Sequence, residues 1–238
     1  MITYRQLGRN GQLGNQLWQI ASTAGIAHRE GDVPGFPFWR YRRYFSVPEA
    51  MFPDLSSIPS RDLGLDYLQN VENFKGIEGA IRAYFSPRPD IWARLASRFD
   101  AVLSLPHKTS LHVRRGDYLG HNGFFTILPL AYYVEAMAMT HGPYIVFSDD
   151  IAWCRTHLPG DCIFMEHNRN YEDLFLMAAC DEHIVANSSF SWWGAWLGGG
   201  RAILPRTWGP AFGPAEPKFL MADCVVLDNS TMEEDAAS

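Results

Sequence analysis

Between residues 108 and 204, short apolar runs alternate with segments of helical period, and no other property of this chain restricts its fold as strongly. Strands are predicted at 111–113, 144–147, 162–165, 184–186 and 202–204. Helices are predicted between them at 129–141, 151–157, 171–180 and 189–197. Pro129 suits the first turn of its helix, where a missing N–H costs nothing. Such alternation leads to a doubly wound parallel sheet, because each parallel strand needs a crossover and each crossover helix needs a sheet face to cover.

The first hundred residues read differently. Residues 2–7 are predicted as a strand, followed by a turn punctuated by Gly8, Gly11 and Gly14 and a helix over 15–29 with Asn15 as its N-cap. Pro34, Pro37, Pro48, Pro53 and Pro59 break any period over 31–75, which reads as irregular loops with short helices. Ser86-Pro87-Arg88-Pro89 opens a further helix over 90–99. The acidic tail is predicted to fray from Asn229. The expected organisation is an N-terminal lobe over 1–104, a C-terminal lobe over 105–228 and a flexible tail over 229–238.

Composition excludes several classes of function. A net charge of -6, with arginines clustered only at Arg40, Arg42, Arg43 and at Arg114, Arg115, argues against a nucleic-acid-binding face. Arginine suits bidentate recognition of a single phosphate group. No run is long and apolar enough to span a membrane, and Met-Ile-Thr-Tyr-Arg does not open like a signal peptide. Cys154, Cys162, Cys180 and Cys224 show neither a CxxC pair nor metal-ligand spacing, so they read as buried free thiols in a reducing, cytoplasmic setting.

Three constellations are candidates for chemistry. In His112-Val113-Arg114-Arg115-Gly116-Asp117-Tyr118 the alternation sends Val113 into the core and His112 and Arg114 to the other face. Arg114 then stands at the carboxyl end of a strand, where open α/β sheets bind ligands and where a guanidinium can fork onto a pyrophosphate. A surface arginine pair bridged to Asp117, or an Arg-Gly-Asp adhesion tripeptide, are the alternatives. Gly11-Gln12-Leu13-Gly14-Asn15 is either an anion-binding turn at a helix start or a plain capped turn. Asn187-Ser188-Ser189-Phe190-Ser191-Trp192-Trp193-Gly194-Ala195-Trp196 sets amides and hydroxyls at another helix start. There Ser188 and Ser189 serve a phosphate or act as N-caps, and the tryptophans read as packing.

The glycine turn, HVRRGDY, FSDD at 147–150 and NSSFSWWGAWL at 187–197 together, in that order, closely resemble the α-1,2-fucosyltransferases, which are glycosyltransferase family 11-like. The resemblance implies an α/β, GT-B-like fold of two Rossmann-like lobes with a donor-binding cleft between them. It also implies an inverting transfer of fucose from GDP-fucose to a sugar hydroxyl of a glycan acceptor, such as the 2-OH of a galactose-type residue, without metal or cofactor. Carried over residue by residue, Arg114 resembles the arginine that grips the β-phosphate and His112 the histidine near guanine and ribose. Asp173 resembles the carboxylate that accepts from guanine N1 and N2; a first-turn aspartate complementing the helix dipole is its alternative. Ser188 and Ser189 would cradle phosphates, while Gly14 and Asn15 would line the cleft from the other lobe. The glutamate that follows the arginine motif in the α-1,6 relatives has no counterpart in Leu119-Gly120-His121-Asn122, which leaves Asp117 and His121 as base candidates.

Two rival readings remain. Asp149-Asp150 would be the metal carboxylates of a GT-A enzyme, although adjacent side chains after a strand diverge. Alternatively, the chain is a carbohydrate-binding scaffold that has lost activity.

Overall fold

A computed structural model of the chain describes residues 1–64, 66–120, 125–209, 218–230 and 232. The chain divides into two compact units, Met1–Arg98 and Phe99–Ser238.

In the first unit, β1 (Ile2–Thr3) pairs in parallel with β2 (Pro34–Gly35) on one side and β3 (Arg61–Asp62) on the other. The strand expected over 2–7 stops at Thr3 because the chain turns at once, with Leu7 N bonded to Tyr4 O and Arg9 N to Gln6 O. Helix α1 (Leu13–Arg29) begins two residues before the predicted start, and its N-cap is Gln12, not Asn15. The physical reason is Gly11: its φ of +75° turns the chain so that Gln12 O already accepts from Gln16 N. Asn15 lies inside the first turn, where its Oδ1 accepts from Gln69 Nε2 at 2.7 Å. Polar Gln16 and Gln19 are buried along with Leu17, Trp18 and Ile20. Gln16 Oε1 accepts from Trp39 Nε1 at 2.8 Å, and Gln19 Nε2 donates to Asn10 O at 2.9 Å. Trp39 stacks on Phe45, which meets Phe85 edge-on, so the aromatic residues of the proline-broken stretch make core. Helices α2 (Glu78–Phe85) and α3 (Pro89–Arg98) complete the unit; only α3 was legible from the sequence.

The second unit opens with α4 (Asp100–Leu103) and then alternates as expected: β4 (Thr109–Val113), α5 (Leu130–Ala138), β5 (Tyr144–Ser148), α6 (Ile151–His157), β6 (Cys162–Phe164), α7 (Asn170–Ala178), β7 (Glu182–Ile184), α8 (Ser189–Gly198) and β8 (Arg201–Pro205); a further strand that was not predicted, β9 (Cys224–Leu227), closes it. All adjacent strands are parallel, in the order β6-β5-β4-β7-β8-β9. Counted within the unit this is 3-2-1-4-5-6, the doubly wound Rossmann order, with its switch point between β4 and β7.

All five β4 residues are buried, so the face that carries His112 is covered as well as the face that carries Val113, as in a parallel sheet with helices on both sides. Two local expectations are corrected. Strand β7 lies two residues earlier than its apolar run suggested, taking in Glu182 and the fully buried His183. His183 is satisfied on both ring nitrogens, by Ser110 Oγ at 2.8 Å and Gly199 O at 2.7 Å. Fraying does not begin at Asn229, whose buried amide bonds Thr207 through both N and O.

Trp192, Trp193 and Trp196 on α8 are buried and touch one another, which is the packing role expected of them. Helix α7 approaches α8 at Gly194, where an added Cβ would lie 2.7 Å from Met177 Cβ. Helix propensity alone would make Gly194→Ala stabilising by about 1 kcal/mol. Overpacking at this contact outweighs it, and a net loss of about 1–2 kcal/mol is expected in urea unfolding; a gain in stability would contradict so close an approach.

Candidate active site at the carboxyl ends of the central strands

The switch point brings two of the three constellations together. HVRRGDY leaves the carboxyl end of β4, and Asn187-Ser188-Ser189 follows β7 into α8. Tyr118 Oη donates to Asn187 O at 3.0 Å, and the His112 and Phe190 rings lie 5.8 Å apart. The Asn187 side chain is 2% exposed, and its Nδ2 donates to Thr126 O at 2.6 Å and Trp208 O at 2.8 Å. Its Oδ1 has no hydrogen-bond partner among the described residues.

Arg114 is held from behind. Its Nη2 is 2.6 Å from Asp117 Oδ2, its Nε is 3.3 Å from Asp149 Oδ2, and its guanidinium lies over the Tyr118 ring. The Asp117 bridge weighed in the sequence reading is therefore present. Asp149 Oδ1 also accepts from Arg115 N at 3.0 Å. Gly116 permits that contact, since a Cβ there would come within 3.1 Å of the Asp149 carboxyl. Burial pushes the Asp149 carboxyl up, but the Arg115 N–H, Arg114 and the Gly116 N–H outweigh it and hold it below the usual carboxylate range. Asp150 turns the other way: it caps α6 by accepting from Trp153 N, and its Oδ2 is 3.5 Å from Arg115 Nε. The two aspartates thus diverge, and each is engaged by an arginine.

His112 is neutral. Burial, reinforced by Arg114, pushes its pKa down to about 3, against the opposing pull of Asp149. Its Nδ1 is buried without a partner among the described residues.

Ser188 is the N-cap of α8, its Oγ accepting from Phe190 N at 3.3 Å, and Ser189 is the first helical residue. Asp173 sits in the first turn of α7 and accepts from Asn168 Nδ2 at 2.8 Å. That is the first-turn position considered for Asp173, shared with Glu172, whose side chain accepts from Arg169 N at 2.7 Å. Gly14 and Asn15 belong to the first unit. His121 lies outside the described residues.

Asn187 was quoted within a motif but not singled out as a site-forming residue, and Asp149 was weighed only as half of a metal-binding pair. A buried asparagine directly after a strand was the available signal for the first. No sequence signal marked Asp149 as the anchor of a loop 34 residues earlier.

Residues 94–209 match the family profile "Glycosyl transferase family 11". The α-1,2-colitosyltransferase of Escherichia coli is 33% identical over 162 residues, covering 60% of this chain and 55% of that protein. The galactoside 2-α-L-fucosyltransferase of Caenorhabditis elegans is 30% identical over 174 residues, covering 63% of this chain and 48% of that protein. The chain therefore spans about half the length of the curated relatives it matches. Among solved structures, NodZ α-1,6-fucosyltransferase co-crystallized with GDP superposes with a TM-score of 0.53 at 16% identity, over 81% of this chain and 90% of that one. POFUT1 in complex with GDP gives 0.53 at 14% identity, over 82% and 94%. At these identities the likeness speaks to the fold, which is α/β and GT-B-like as expected.

The buried neutral histidines set an acid limit. An unfolded chain takes up a proton at His112 below about pH 6.5, whereas the folded chain takes it up only near 3. The same holds for His183, lowered by burial to about 4. Stability should therefore fall as pH drops from 6.5 toward 4. His112→Asn should flatten that slope in denaturant titrations at pH 7 and 5; a slope equal to the parent's would contradict a neutral His112. The residues that build this site lie within the matched stretch, residues 94–209, whose similarity is to glycosyl transferase family 11.

Proposed function

We propose that the chain is an inverting glycosyltransferase that moves fucose from GDP-fucose to a sugar hydroxyl, the 2-OH of a galactose-type acceptor. One observation carries the reading: Arg114 stands at the switch point beside the N-terminus of α8. In the reaction the acceptor oxygen attacks the anomeric carbon, the bond to the β-phosphate oxygen breaks, and GDP departs with its electron pair. Arg114 and the first N–H groups of α8, with Ser188 and Ser189, stabilise the charge that develops there. Neutral His112 faces the nucleoside, and Asp173 offers guanine a paired acceptor that adenine cannot use. Asp117, already bonded to Arg114, orients that guanidinium, and its carboxylate or His121 receives the acceptor proton. The C-terminal lobe holds the nucleotide, the N-terminal lobe recognises the acceptor glycan, and the setting is cytoplasmic.

Support comes from the GDP present in the NodZ and POFUT1 structures and from the galactoside named in the Caenorhabditis elegans relative. The colitose named in the Escherichia coli relative favours a second reading of the donor sugar, with nucleotide and mechanism unchanged. The divergence of Asp149 and Asp150 speaks against a GT-A metal pair. No helix among the described residues is long and apolar enough to cross a membrane.

Calorimetric titration of GDP, ADP and UDP with EDTA present tests the reading: GDP should bind selectively, and Asp173→Ala should narrow its margin over ADP. Arg114→Ala should lower turnover of GDP-fucose by about 10²–10³-fold with the fold intact. Near-normal turnover in that variant, or a preference for UDP that needs divalent metal, would sink it.

A further inference from the structure

At the opposite end of the same sheet, three side chains converge that the transfer reaction leaves unused. His107 precedes β4, His141 precedes β5 and Glu182 opens β7, so they mark the amino ends of three adjacent parallel strands. Glu182 Oε2 lies 3.3 Å from His107 Nε2 and 3.1 Å from His141 Nδ1, and the three potential ligand atoms fall within 4.8 Å of one another. Nitrogen and oxygen ligands held tetrahedrally at about 2.0–2.1 Å from a zinc ion stand roughly 3.3 Å apart. The two separations from Glu182 therefore already match the edges of such a coordination shell.

The surroundings hold the ligands in place. Glu182 Oε2 accepts from His141 N at 2.9 Å, which fixes the carboxylate, and its side chain is only 12% exposed. The other ring nitrogen of His107, Nδ1, is 4.0 Å from Asp181 Oδ2, the side from which a second carboxylate orients a metal-bound imidazole. Asp181 is itself fixed by Lys108, through a backbone N–H at 3.0 Å and Nζ at 3.7 Å. The His107 and His141 rings meet edge to face at 5.8 Å, and the His141 side chain is 80% exposed, which leaves solvent free to supply a fourth ligand.

We propose that His107, His141 and Glu182 form a zinc-type metal site that clamps the amino ends of β4, β5 and β7. Two imidazoles and one carboxylate are ligands suited to Zn²⁺, with water in the remaining position. The five residues of β4 put about 17 Å between this clamp and the arginine loop. The ion is accordingly structural, and its binding is independent of nucleotide chemistry.

The test is calorimetric titration of Zn²⁺ into the EDTA-stripped full chain, repeated with His141→Ala and Glu182→Gln. Glu182→Gln keeps an acceptor for the His141 N–H, so it separates loss of the metal ligand from loss of the loop contact. One equivalent is expected to bind and to raise the melting temperature, and each variant should weaken binding by at least about tenfold. X-ray absorption of the loaded protein should read nitrogen and oxygen neighbours only. No uptake, uptake that survives both variants, or sulfur in the coordination shell would overturn the proposal, leaving Glu182 as a hydrogen-bond bridge between two histidines.

Discussion

Asp149 is the contact on which the candidate site is built. It directly follows β5, accepts from the backbone of Arg115 and faces Nε of Arg114, so one carboxylate sets the path of the loop that leaves β4. Two adjacent arginines near the end of a covered sheet would repel each other and lose hydration without it. Its titration below the usual carboxylate range keeps the anion, and hence the loop, in place across neutral pH. Gly116 belongs to the same device, because any side chain there would press on the Asp149 carboxyl. The diphosphate-binding role proposed for Arg114 depends on this backing, which directs the guanidinium before any ligand arrives.

The sheet gives its two ends different work. At the carboxyl ends, the switch between β4 and β7 gathers helix starts, the arginine loop and the buried Asn187. At the amino ends, His107, His141 and Glu182 bridge the same central strands. His183 joins the layers between them, taking a hydrogen bond from Ser110 on β4 and reaching Gly199 just past α8. Polar groups buried in the second unit thus serve the strand pairing as well as the site.

Much of the second unit was legible because its signal is periodic. The alternation of apolar runs and helical segments predicted β4, β5, β6, β8, α5, α6, α7 and α8 to within a few residues, and their order implied the doubly wound sheet. Tertiary context decided what the pattern missed. Strand β7 takes in Glu182 and His183 because partners elsewhere in the chain satisfy them, which no local pattern reveals. Strands β2 and β3 are two residues each and pair with β1, too short to leave a period. Arg114, His112, Ser188 and Ser189 were readable as candidates from strand ends and helix starts, yet the neutrality of His112, and the choice of Ser188 over Ser189 as the cap, appear only in three dimensions. The anchor on Arg115 joins positions 34 residues apart and had no signature at all.

Hydrogen–deuterium exchange with and without GDP tests the central claim most directly, that the nucleotide is held at the carboxyl ends of β4 and β7. GDP should slow exchange over residues 112–118 and 187–191, with the α7 start around Asp173 following. Protection confined to other segments, or none at saturating GDP, would contradict that placement.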